Sequence, residues 1–125
     1  MIRNIGIDTT TISEMARISE GLGKGGLSRM FTAGELTASY GAPDPAEYLA
    51  TRFAAKEAAF KAVAHLLKEK HFDLRVIETL NHDDGSPYVN VTDGLRDVLN
   101  RAGVNNLHIS ITTEGDLATA FVIAE

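Results

Sequence analysis

The 125-residue chain contains no cysteine. That excludes disulfides and thiolate metal sites, and it fits a reducing compartment. No apolar run approaches transmembrane length, and the start, Met1-Ile2-Arg3-Asn4-Ile5-Gly6, lacks the apolar core of a signal peptide. The expectation is a cytoplasmic protein with no membrane partner. There is no excess of positive charge: the formal net charge is -5, which argues against nucleic acid as the main partner. An acidic protein partner would need a local basic patch that the total hides. Repeats, linkers and low-complexity segments are missing too. What remains is ordinary for a soluble globular chain, with 44% apolar and 23% charged residues. The length predicts a single domain over 1–125 with a real core.

One stretch is free of both glycine and proline. Ala46 to about Lys68 reads as a long helix rich in Ala, Leu, Glu and Lys. Asp44 is its N-cap, Pro45 its first position, and Glu47 completes a capping box. Leu49, Phe53, Phe60, Ala64 and Leu67 recur at three- and four-residue steps and line one face. Around this helix the chain predicts a strand over Ile2–Ile7, with Asp8 at its end. A capped helix follows from Thr11 to about Glu20, then a glycine cluster, and a second capping box, Thr32 to Glu35, opens a helix toward Tyr40. Leu74–Leu80 and Tyr88–Val91 read as a hairpin across the turn formers from Asn81 to Pro87. A helix over Asp93–Ala102 and strands over Leu107–Thr112 and Leu117–Ala124 complete the chain. The fold class is α+β, a mixed or antiparallel sheet packed on one long central helix.

Glu57 falls on the apolar stripe between Phe53 and Phe60. A carboxylate on such a face must be paired or metal-bound. Asp8, at a strand end, is its candidate partner, and two carboxylates meeting there suit a Mg²⁺ that also takes phosphate oxygens and waters. The plainer alternative makes Asp8 a turn residue and pairs Glu57 with Lys61 at i+4. Lys56, Lys61 and Arg52 form either a phosphate-contacting group or a solvated charged face. Gly21, Gly23 and Gly26 spell G-x-G-x-x-G but follow a helix instead of opening one, so they read as a helix end and connector. His108 and Ser110 share a strand face. His65, His71 and His82 have no metal-ligand spacing.

Taken together, Ile5-Gly6-Ile7-Asp8, Phe31-Thr32 with Glu35, Arg52-Phe53-Ala54-Ala55-Lys56-Glu57-Ala58 with Lys61-Ala62, Gly85 with Pro87, His108-Ile109-Ser110-Ile111 and the closing apolar strand resemble the holo-[acyl-carrier-protein] synthases. These are small phosphopantetheinyl transferases, and the resemblance runs over nearly the whole chain. It implies transfer of the 4′-phosphopantetheine arm of coenzyme A to a serine of an apo acyl carrier protein. The reaction would be Mg²⁺-dependent and release adenosine 3′,5′-bisphosphate, as a step of fatty acid biosynthesis. By the same resemblance Asp8 and Glu57 are metal ligands, and Asp8, Glu57 and Lys61 form the catalytic group. Arg52, Lys61, Gly85, Pro87 and His108 line the coenzyme A site. The family is similar to a homotrimer with sites between neighbouring subunits.

The chain departs from the family's usual pattern in places. Ser13 and Glu14 stand where basic docking residues are usual, with Arg17 a turn later and Lys24 and Arg29 beyond. Val63 to Leu67 continues the helix where glycines are frequent. Ser86 replaces a lysine, and Thr113 a histidine. The alternative reading is therefore a diverged coenzyme A or carrier-protein binding module of the same fold.

Overall fold

A run such as Ala-Ala-Lys-Glu-Ala-Ala puts little bulk between a helix and its neighbours. In the computed structural model, which describes residues 1–125, helix α3 (Pro45–Val63) lies against a three-stranded sheet. The strands are β1 (Asn4–Thr11), β5 (Leu117–Ala124) and β4 (Leu107–Glu114), ordered β1-β5-β4 with both pairs antiparallel. Ala50, Ala54, Ala55, Ala58, Ala59 and Ala62 of α3 are fully buried, as are Ala118, Ala120, Val122 and Ala124 of β5. The closest approach is at Gly6. A Cβ there would lie 2.0 Å from the Ala58 carbonyl oxygen and 2.8 Å from the Ala62 nitrogen. Only a residue without a side chain permits this crossing, and it carries Asp8 to the flank of α3.

The remaining elements close the core. Helices α1 (Ile12–Leu27) and α2 (Ala33–Tyr40) enclose Met15, Leu27, Phe31 and Leu36 with Leu49, Ala50 and Ala118. Helix α4 (Asp93–Ala102) packs Leu95, Val98 and Leu99 beside Ile77, Val89 and Leu67. A separate antiparallel hairpin, β2 (Glu78–Asn81) and β3 (Pro87–Asn90), stands against α3. No helix is long and apolar enough to cross a membrane.

Several sequence boundaries move, each for a local reason. Strand β1 runs on to Thr11, so Asp8 sits within it, opposite Ala120. Helix α1 continues through the glycine cluster to Leu27 and kinks at Gly23, whose φ of 63° is open to glycine. Its start is capped from outside: Asp116 accepts the Ser13 N–H at 2.9 Å and the Ser13 hydroxyl at 2.5 Å. The Thr32–Glu35 capping box forms in both directions. Asp44 caps α3, but the Glu47 carboxylate turns away toward Thr113. Helix α3 stops at Val63, and a 3₁₀ turn over Ala64–Leu66 returns Leu67 and Phe72 to the core. Asp73 accepts the Arg75 N–H and winds Leu74–Val76 into a second 3₁₀ turn, which shortens the expected strand to Glu78–Asn81. The deepest face of α3 is the alanine face, and Phe53, Glu57 and Phe60 lie half-buried along its edge.

Candidate active site

Two clefts flank α3. The first, of about 340 Å³, is lined by Asp8, Thr9, Thr10 and Thr11 of β1, Glu14, Met15 and Ile18 of α1, and Phe53 and Glu57 of α3. Gly6 sets the distance between β1 and α3, so Asp8 and Glu57 face one space. Glu57 is half-buried. Desolvation raises its pKa above the usual carboxylate range, and the charge of Asp8 adds to this, while Lys61 works the other way. Lys61 donates to Asp8 Oδ1 at 2.9 Å and to the Ile7 carbonyl at 3.0 Å. It therefore pairs across to the strand and not back to Glu57 on its own helix. The polar side chains that line it, those of Asp8, Thr9, Thr10, Thr11, Glu14 and Glu57, offer oxygen atoms only. Two carboxylates, one of them bonded to a lysine, form an open, hard donor set, which suits Mg²⁺ with water and phosphate completing its shell. No third His, Cys, Asp or Glu closes the group into a cage.

The second cleft, of about 360 Å³, lies at the opposite edge of the sheet. Its walls are the N-terminal turns of α3, the hairpin at Asn81, Gly85 and Pro87, and β4 at Ile111, Thr112 and Thr113. Arg52 forms the floor. It is buried, its Nη2 donates to Asn81 Oδ1 at 2.8 Å, and its guanidinium lies 4.2 Å from the Tyr48 ring centre. Its Nε has no partner.

Asp8, Glu57 and Lys61 thus come together at one cleft, and Arg52, Gly85 and Pro87 at the other. His108 joins neither. It stands on the outer face of β4, 2.9 Å from Glu125, whose carboxyl that contact holds below its usual range.

The whole chain matches one family. Residues 4–122 fit the model described as the 4′-phosphopantetheinyl transferase superfamily. The chain belongs to this superfamily. It is 37% identical over 124 residues to the holo-[acyl-carrier-protein] synthase of Thermodesulfovibrio yellowstonii, covering 98% of each chain. Among solved structures it resembles the holo-[acyl-carrier-protein] synthase of Neisseria meningitidis, with a TM-score of 0.88, 32% identity and coverage of 100% and 99% of the two chains. It also resembles the Bacillus anthracis synthase solved in complex with CoA (3′,5′-ADP), with a TM-score of 0.76, 27% identity and coverage of 99% and 96%.

Sequence reasoning left some of this superfamily member's site residues unmarked. Asn81 carries no signal, because its partner Arg52 lies on another element. Lys56 reads in the sequence as either phosphate-contacting or solvated, yet it is fully buried. Its Nζ is 2.8 Å from Glu35 Oε1 and also donates to the Ile77 carbonyl. Glu35 further accepts the backbone N–H groups of Thr32 and Thr79, at 3.0 and 3.1 Å. The usable signal was spacing: Arg52, Lys56, Ala59 and Val63 form one buried row on α3.

Proposed function

We propose that residues 1–125 act as one domain that transfers the 4′-phosphopantetheine arm of coenzyme A to a serine of an apo acyl carrier protein, releasing adenosine 3′,5′-bisphosphate. The observation that carries this reading is the cleft where Asp8, Glu57 and Lys61 meet, in a chain whose full length matches the superfamily. Asp8 and Glu57 hold Mg²⁺, which when bound neutralises charge developing on the pyrophosphate. Lys61 is half-exposed and reaches the same phosphates as a point charge. Glu57 faces the same cleft and is placed to take the proton of the attacking serine hydroxyl. Arg52, Asn81, Gly85 and Pro87 seat the nucleotide end of the donor. Arg17, Lys24 and Arg29 are exposed along and after α1 and offer the local basic surface that an acidic carrier needs. Glu14, at the mouth of the metal cleft, keeps that surface away from the first turn of α1.

The two clefts lie at opposite edges of one sheet. Arg52 and Glu57 are also about 7.5 Å apart along α3 and rotated by about 140°. A single donor fits both most simply if the β4 edge of one protomer meets the β1 edge of the next, in a closed ring. The outer sheet face supports such a contact. Ile5 and Ile7 are 55% and 56% exposed, and they stand beside Ile123 and Phe121 in register. This reading accords with the homotrimer with shared sites that the family resemblance implies, and it gives His108, on that same face, a route to a neighbour's donor.

The test is intact-mass spectrometry of an apo acyl carrier protein incubated with this protein, coenzyme A and Mg²⁺, with and without chelator. A chelator-sensitive gain of one phosphopantetheine arm is expected. Coenzyme A binding without any gain, across several carriers, would make the protein a binding module instead.

A further inference from the structure

The hairpin of β2 and β3 is not part of the main sheet. Its strands pair only with each other, so no ladder fixes where it stands on α3. Yet it supplies Asn81, Gly85 and Pro87 to the Arg52 cleft. Ile77 and Val89 pack it onto the core, but apolar contact is non-directional and sets no register. The directional ties are polar. Lys56 Nζ donates to the Ile77 carbonyl. Glu35 Oε2 accepts the Thr79 N–H at 3.1 Å, while its Oε1 holds Lys56 at 2.8 Å. In a strand the backbone groups of alternate residues point to one edge. The Ile77 carbonyl and the Thr79 N–H therefore lie along the edge of β2 that β3 leaves uncovered, and two side chains take the place of a neighbouring strand. One turn earlier on α3, Arg52 donates to Asn81 at 2.8 Å, the next alternate position.

Both Glu35 and Lys56 are fully buried, where such bonds are strong, and neither lines either cleft. Asn81 faces Pro87 in the hairpin register, so setting β2 along α3 sets Pro87 and, through the turn, Gly85. We infer that Glu35 and Lys56 are positioning residues for the donor: as one ion pair they fix the register of the hairpin on α3 and thereby the wall of the cleft. This wall is placed from within the chain, whatever a neighbouring protomer adds opposite it. The metal cleft shares none of these ties, since Asp8 is set by the Gly6 crossing and by Lys61. The inference takes from the transferase reading only that coenzyme A enters the Arg52 cleft.

The experiment uses Lys56→Met combined with Glu35→Gln, which removes both charges together and leaves neither buried alone. Calorimetry should show coenzyme A bound about tenfold more weakly, the equivalent of one or two misplaced hydrogen bonds. KM for coenzyme A should rise alike, while kcat at saturating donor and the affinity for Mg²⁺ stay within about twofold of wild type, because only binding shared by ground and transition states is lost. Asn81→Ala should weaken coenzyme A binding less in the double variant than in wild type, because there the amide is no longer held in place. A folded double variant that binds coenzyme A as wild type does overturns the inference and leaves the transferase reading intact. Equal weakening of coenzyme A and Mg²⁺ overturns it too, since that is general loosening. Should the double variant not fold, Thr32→Val cuts the tie from Thr32 to Glu78 on the same strand. It should weaken coenzyme A binding and spare Mg²⁺, and unchanged coenzyme A binding there counts against the inference equally. A wild-type protein that transfers to no carrier removes the transferase reading, and the binding comparison, which needs no turnover, still decides the inference.

Discussion

Glu57 sits where a carboxylate is least comfortable, half-buried and facing a second carboxylate. Its folded pKa is raised above the unfolded value, so the folded state holds the proton more tightly. Stability therefore falls as pH rises from the ordinary carboxylate range through the raised value. Glu57→Gln should abolish transfer while raising the melting temperature of the metal-free protein by a few degrees. Mg²⁺ should raise the melting temperature of the wild type but not of this variant. Calorimetry with and without Mg²⁺ checks both, and a Gln variant that melts well below wild type would refute the burial argument. Burial lowers the pKa of Lys56 as well, but here the charge has its partners in place, Glu35 and the Ile77 carbonyl. Lys56→Met leaves Glu35 buried without its cation and should cost about 3–5 kcal/mol. Adding Glu35→Gln should recover part of that loss in denaturant melts. A double-variant loss equal to the sum of the two single losses would show that the pair is not coupled.

Gly6 acts through the elements it separates. A methyl group there must displace Ala58 or the strand, because its Cβ falls 2.0 Å from a backbone oxygen that cannot swing aside. Gly6→Ala should cost at least about 1–3 kcal/mol. It should also weaken Mg²⁺ binding by moving Asp8 away from Glu57, which titration of the folded variant would detect. Tight Mg²⁺ binding in a destabilised variant would separate the strand crossing from the site. Much of this arrangement could be read before the structure. Capping residues placed the starts of α2, α3 and α4, and the carboxylate at position 57 marked itself by lying on an apolar stripe. What could not be read were the effects of distant groups. Asp116 caps α1 from a turn a hundred residues away, and the Asp73 side chain turns part of a strand into a 3₁₀ helix. The buried state of Lys56 depends on Glu35 arriving from α2. Alternation and helical periodicity report only which side of an element is apolar, not which polar group will find a partner across the fold.

At the scale of the whole molecule the decisive question is whether the two clefts serve one donor. Ile5 lies on the outer sheet face and contributes nothing to the core of its own chain. Ile5→Glu should therefore leave the protomer folded but dissociate the assembly, as read by light scattering, and transfer should fall with it. Complementation asks the question more directly. Asp8→Ala and Arg52→Ala should each be inactive alone. If Asp8 of one protomer works with Arg52 of the next, coassembling the two variants in equal amounts creates some junctions where both native residues meet. With random assembly each junction draws the required protomer on each side with a chance of one half. Transfer should then return to about one quarter of wild type. Sites held within one chain would give no recovery, because every chain in the mixture lacks one of the two residues. That result would force the donor to bind along a single protomer and would leave the apolar sheet face to some other partner.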